Sequence, residues 1–228
     1  MRKDPPVDEA YIQATYLLEY AQSMGVTVVN HPKSLRDCNE KVFIASFPTF
    51  IPPTLVTQSS KQLQHFCHQY QEIVLKPLNQ KGGVNVHHVR ESDQNKLDLF
   101  KRMNQDETCF TMAQQFIPEI SEGDKRIILV DGKPIPHALL RIPKSGDWLG
   151  NLSAGAIGKV VPLSLRDQLI CKTIGPELKR RGLYFVGIDV IGEYLTEINV
   201  TSPTGIREIE AATHCNISAM LFDALIER

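Results

Sequence analysis

The run Gly187-Ile188-Asp189-Val190-Ile191-Gly192-Glu193-Tyr194-Leu195-Thr196-Glu197-Ile198-Asn199-Val200-Thr201-Ser202-Pro203-Thr204-Gly205-Ile206-Arg207-Glu208-Ile209-Glu210 decides the reading of this chain. Asp189 closes an apolar run, Tyr184 to Ile188, that reads as a strand. Ile191-Gly192 supplies turn chemistry, and Leu195 to Val200 resumes as a second strand with period-2 alternation. Glu197 and Asn199 are two apart, so both side chains leave one face of that strand. Paired as a hairpin, the two strands bring Asp189 alongside. Two carboxylates and an amide oxygen are hard oxygen donors, suited to a Mg²⁺ that also holds nucleotide phosphates.

The bulk numbers bound what surrounds this hairpin. The chain has 228 residues, 42% hydrophobic and 22% charged, enough for one large or two smaller domains with sizeable cores. A net charge of −1 sets up no field for nucleic acid or an anionic membrane. No apolar run is long enough to span a bilayer, and no secretory leader is evident. The five cysteines, Cys38, Cys67, Cys109, Cys171 and Cys215, are odd in number and show no paired spacing, so they read as reduced thiols of a cytoplasmic protein.

Along the chain, Tyr11, Ala14, Leu18 and Ala21 fall at helical spacing and Gly25 is a stop; Val26-Thr27-Val28-Val29 reads as a short strand. Ser34 with Asp37 three residues on resembles a capping box that opens a helix carrying Asn39, Glu40 and Lys41. Pro48, Pro52 and Pro53 mark a boundary. A small α/β unit follows: a helix near Ser60–Tyr70, a strand at Ile73–Leu78, the loop Asn79-Gln80-Lys81-Gly82-Gly83, a strand at Val84–Val89 and another at Cys109–Phe116. The last unit has strands at Arg126–Val130 and Ile135–Ile142 joined by Asp131-Gly132, then a Gly- and Ser-rich loop from Pro143 to Gly158. Ser164 and Asp167 cap a helix ending at Gly182, and Asn216–Glu227 forms a terminal amphipathic helix.

Asp189, then Glu-Ile-Asn-Val-Thr-Ser-Pro from Glu197, then Ile-Arg-Glu-Ile-Glu from Ile206 resembles the metal and substrate end of prokaryotic-type glutathione synthetase, an ATP-grasp ligase. The resemblance runs in order through Met1-Arg2-Lys3-Asp4-Pro5-Pro6, Ser34 to Lys41, Leu75-Lys76-Pro77-Leu78 and Gly123-Asp124-Lys125-Arg126. It implies an α/β ATP-grasp fold in which two α/β subdomains clasp ATP. Residues 1–47 are then the remnant of a substrate-binding domain, 48–113 the small nucleotide lid, and 114–228 the larger metal-bearing half with a catalytic lid loop at 143–158. The implied reaction joins γ-glutamylcysteine to glycine through an acyl phosphate, with Mg²⁺ or Mn²⁺ as cofactor. The Met1 motif lies well inside family sequences, so a leading segment is expected to be missing. A homo-oligomer, or a separate chain supplying that segment, is left open as a partner beside the small-molecule substrates.

The same resemblance assigns roles by position. Asp189, Glu197 and Asn199 are the metal ligands. Lys41 and Lys76 reach nucleotide phosphates; for Lys76 the apolar strand around it makes a merely solvated role unexpected. Gly82 and Gly83 read either as a hairpin turn or as a loop whose N–H groups approach phosphate. Gln115, Phe116 and Ile117 read either as a buried strand end or as the hinge beside adenine, and Asp124 matches a nucleotide contact loosely. Arg126, Arg141 and Arg207 face the substrate or form structural ion pairs; Asn151, Ser202 and Thr204 join Arg207 in holding the peptide. Three departures stand out. Asn79-Gln80 replaces an Asp-Gly, which removes φ > 0 freedom from the phosphate loop. Leu149 and Ile157 take the places of two lid arginines, and Trp148 adds a further apolar group. These departures support a second reading, a catalytically impaired homologue that binds nucleotide or a partner; a third is a related ATP-grasp amino-acid ligase.

Overall fold

The computed structural model describes residues 1–150, 152 and 155–226. Helix α1 (Glu9–Ser23) opens on Asp8, whose carboxylate accepts from the Tyr11 N–H, and α2 (Pro32–Asp37) follows. A 3₁₀ turn at Val42–Ser46 leads to β1 (Thr54–Thr57), α3 (Ser60–Tyr70), β2 (Glu72–Pro77), β3 (His87–Arg90), α4 (Lys96–Met103) and β4 (Thr111–Gln115). The remainder is β5 (Asp124–Val130), β6 (Lys133–Ile142), β7 (Ile157–Pro162), α5 (Leu165–Arg180), β8 (Phe185–Ile191), β9 (Tyr194–Asn199), α6 (Ile206–Thr213) and α7 (Ile217–Ile226).

The strands form two antiparallel sheets, β1-β4-β2-β3 and β7-β6-β5-β8-β9. Each buries one face under helices. Leu63, Phe66 and Cys67 of α3 and Phe100 of α4 cover Ile73, Leu75, Val89 and Ala113 of the small sheet. Ile170, Cys171, Ile174 and Leu178, one stripe of α5, cover the large sheet together with Tyr11, Leu35, Phe43 and Ile44 from the N-terminal segment. That segment therefore shares the large sheet's core. The capping box of Ser164 and Asp167 is complete, which explains why α5 starts where the sequence indicates. Helix α5 lies so close to the β5–β6 turn that a Cβ on Gly175 would sit 2.1 Å from the Gly132 carbonyl oxygen, and Gly132 itself has φ +75°.

Several expectations need correction. Val26–Val29 joins no ladder among the described residues; β-propensity without a partner strand makes no sheet. The neighbouring Asn30 ties the chain down instead, its amide bonding Phe185 N, Phe185 O and Val200 O. Ser34 is not a cap: His31 caps α2 with Pro32 in the first turn, and Ser34 donates to the Arg181 carbonyl. Helix α2 ends at Asp37, so Asn39, Glu40 and Lys41 lie beyond it. The strand expected at Val84–Val89 begins only at His87, after a run of turns. The tail of the expected loop 143–158 already belongs to edge strand β7, and α6 occupies the segment after Gly205, for which no element was expected.

Candidate active site

Pairing β8 with β9 sets Asp189 opposite Glu197 and Gly187 opposite Asn199, the juxtaposition expected of the hairpin. Strand β5 lies on the other side of β8, with Arg126 opposite Asp189, and β6 sets Arg141 opposite Asp124. The result is a buried charged knot. Arg126 grips Asp189 through Nε at 2.5 Å and Nη2 at 2.9 Å; Arg141 reaches Asp189 at 3.0 Å and also pairs with Asp124. Burial alone would raise the Asp189 pKa, but the Arg126 and Arg141 guanidiniums overcome it and hold the carboxyl well below its usual range. Asp124 goes the other way: burial pushes it up to about 6 against Arg141, with Asp189 adding to the rise. Asp124 Oδ1 and Arg141 Nε are buried with no partner among the described residues.

This knot borders two adjoining cavities. The first, of about 950 Å³, lies between the two sheets. Lys41 is 4% exposed; its Nζ donates to the Gln80 carbonyl at 2.7 Å and lies 3.9 Å from Glu197. Lys76 donates to Gln114 Oε1 at 2.7 Å, and burial lowers its pKa while Glu197 opposes the fall. Gly82 and Gly83 also line this cavity with φ of 69° and 77°. Gln80 is not among the positive-φ residues, so glutamine there costs no backbone strain; its side chain bonds Asn85 and its carbonyl serves Lys41. At the far end Gln115, Phe116 and Ile117 line the wall. The Phe116 ring stacks on His88 at 3.9 Å, and the Ile117 N–H makes no hydrogen bond among the described residues. Trp148 and Leu149 close the cavity from the 143–150 segment.

The second cavity, about 1100 Å³, is lined by Asp4, Arg141, Ser202 and Thr204 among others, and shares Glu40, Lys81, Gly82, Arg126 and Asn199 with the first. Ser202 donates to Asp4, and the Thr204 carbonyl accepts from Arg126 Nη1 at 3.4 Å. Arg207 is exposed on α6, lines neither cavity and forms no ion pair among the described residues, because α6 starts one residue before it and turns it outward. Asn151 lies outside the described residues, and Ile157 is 65% exposed on β7.

The donor set suits a hard divalent cation. Asn199 Nδ2 donates to Asp189 at 3.2 Å, which turns its Oδ1 away from that carboxylate, and the one ion pair of Glu197 among the described residues is the 3.9 Å contact with Lys41. Asp189 is shared with two arginines, and no group of three His, Cys, Asp or Glu converges among the described residues. Glu40, Trp148 and the Gln80 carbonyl were missed as site groups. The first two are ordinary residues in sequence, and a carbonyl carries no sequence signal.

A metal-suited hairpin and two lysines facing one cavity between two antiparallel sheets define an ATP-grasp ligase. The fold is similar to that of the ATP-grasp ligase PsnB complexed with a minimal precursor, at TM-score 0.69 and 18% identity over 96% of this chain and 70% of that one. Residues 40–214 match the ATP-grasp domain of prokaryotic glutathione synthetase, and residues 1–36 match its N-terminal domain. The chain is 54% identical to the glutathione synthetase of Shewanella oneidensis and 50% identical to that of Shigella flexneri, over its whole length and 72% of each relative. It belongs to the prokaryotic glutathione synthetase family.

Proposed function

We propose that the chain condenses γ-glutamylcysteine with glycine at the expense of ATP, and that the two adjoining cavities divide the work. The observation that carries this is their shared wall of Glu40, Arg126 and Asn199: a nucleotide in the first cavity directs its terminal phosphate toward an acid in the second. Gln115, Phe116 and Ile117 cradle the base. Lys41, Lys76 and the N–H groups of Gly82 and Gly83 hold the phosphates. Glu197 and Asn199, with Asp189 behind them, would hold Mg²⁺ or Mn²⁺, which supplies neutralising charge at the phosphate oxygens. The cysteinyl carboxylate takes the γ-phosphoryl group and releases ADP. The glycine ammonium then loses a proton to solvent, its neutral amine attacks the acyl carbon, and phosphate leaves with one of the remaining nitrogen protons as the amide forms. No side chain becomes covalently attached, so the protein contributes position and charge. Arg126 and Arg141, already aligned by Asp189 and Asp124, meet the acyl phosphate, while Ser202 and Thr204 hold the peptide.

Identity near 50% across the whole chain favours this substrate pair over that of another ATP-grasp ligase. The test is phosphate release by the purified chain with each substrate omitted in turn. Release that needs ATP, γ-glutamylcysteine and glycine together is expected. Release indifferent to glycine, or equally fast with a larger amino acid in its place, would overturn the assignment.

A further inference from the structure

One carboxylate on the shared wall has no part in the steps above. Glu40 follows α2 and lines both cavities. Its Oε1 accepts three hydrogen bonds, from Val200 N at 2.9 Å, Thr201 N at 2.9 Å and Thr201 Oγ1 at 2.8 Å, and its own carbonyl accepts from Ile198 N at 2.9 Å. The side chain is therefore fixed at both ends. Oε2 makes no hydrogen bond among the described residues, and it is not one of the sealed, partnerless polar atoms, so it opens onto space. Anchoring Val200 and Thr201 needs no charge, because a glutamine Oε1 would accept the same three bonds. Of the shared lining residues, Lys81 is paired with Asp4 and Arg126 with Asp189. Glu40 is the carboxylate of that wall, among the described residues, with an oxygen to spare.

An open, rigidly held carboxylate where a phosphate-donor cavity meets an acid-binding cavity suits a small cation with several N–H donors. We propose that Glu40 Oε2 binds the ammonium of the acceptor amino acid and holds its nitrogen beside the acyl carbon, so that the amine left after one proton passes to solvent is already aimed for attack. The proposal rests on the ligase reading above and adds a residue for the acceptor. Lys41, the next residue, points its ammonium to Gln80 and Glu197, so nucleotide binding and acceptor binding occupy successive side chains facing different ways.

The experiment compares glycine with glycolate, which keeps the carboxylate and replaces the ammonium by a hydroxyl. In the unaltered chain, glycolate should inhibit competitively against glycine but bind about tenfold or more weakly. In Glu40→Gln the glycine KM should rise about tenfold or more, while the glycolate inhibition constant, the ATP KM and the melting temperature stay close to those of the unaltered chain. Glycine and glycolate bound equally by the unaltered chain would overturn the proposal without any variant. So would a Glu40→Gln variant that keeps its glycine KM, or one in which glycine, glycolate and ATP weaken together, the mark of a purely structural role. Absence of glycine-dependent phosphate release in the unaltered chain would remove the ligase reading and this proposal with it; turnover with an indifferent Glu40→Gln removes this proposal alone.

Discussion

Asp189 and Glu197 face each other across one ladder, yet their surroundings give them different work. Asp189 sits between two buried guanidiniums, whereas Glu197 is partly open and, among the described residues, its one ion-pair contact is Lys41 at 3.9 Å. Removing one partner from a buried ion cluster strands the others, so Asp189→Asn should cost about 3–5 kcal/mol of stability in denaturant unfolding. Glu197→Gln should leave the unfolding midpoint nearly unchanged and weaken Mg-ATP binding about tenfold or more, since it replaces an anionic oxygen ligand by a neutral amide oxygen. Equal destabilisation by the two would remove this division of labour. Residue 80 teaches a related lesson. A glutamine where the family resemblance leads one to expect glycine looks damaging in sequence, because sequence does not reveal φ. In the folded loop the position has no positive φ, and Lys41 bonds a carbonyl that any residue supplies. Gln80→Gly should therefore change the ATP dissociation constant by less than about threefold, and lower stability by about 0.4–1 kcal/mol through unfolded-chain entropy. A large gain in ATP affinity would mean that the glutamine side chain obstructs the phosphates.

Elements were legible where local chemistry agreed with tertiary need. Helix α5 carries its own capping box, α3 an apolar stripe between turns, and the β8–β9 hairpin an alternation that already placed Glu197 and Asn199 on one face. Elements whose state depends on distant partners were not legible. Val26–Val29 has strand composition and no neighbour to pair with, while β7 looks like the end of a glycine-rich loop until β6 supplies a ladder. The 143–150 segment shows the same limit. Leucine and isoleucine at 149 and 157, where the resemblance leads one to expect arginines, suggest an open segment, but Trp148 comes within 5.8 Å of His88, whose ring stacks on Phe116, and so meets the small sheet through rings. Trp148 is the chain's single tryptophan and lines the cavity between the two sheets, so filling that cavity must change its surroundings. Titrating Mg-ATP should produce a saturable change in tryptophan emission, and Lys76→Ala should shift that curve to higher nucleotide concentration. Emission indifferent to nucleotide in the unaltered chain, at concentrations that give turnover, would show that the Trp148 ring does not sense the cavity.

At the scale of the molecule, the cavity proposed for the nucleotide is a joint between two sheets of unequal support. The small sheet's core holds eight buried residues, while the large sheet's main cluster also recruits α5 and the N-terminal segment. With less buried apolar surface, the small unit should open more readily than the rest. Lys76 and Gln115 on its strands face Glu197 and Asn199 on the other sheet's hairpin across the cavity. A ligand spanning that gap binds only when both units are folded, so its binding free energy stabilises them jointly. At a hundred times its dissociation constant, Mg-ATP should add about 2.7 kcal/mol. For a chain of this length that corresponds to a rise in melting temperature of roughly 5–10 °C. Hydrogen exchange would show where the gain falls. Without nucleotide, the amides of β1 to β4 should exchange ahead of those in β5 and β8; with Mg-ATP the two sets should converge, because opening the small unit then also requires releasing the ligand. If protection rose only around the β8–β9 hairpin, the nucleotide would be held by the large unit alone, and the two lysines would not act as a pair across the joint.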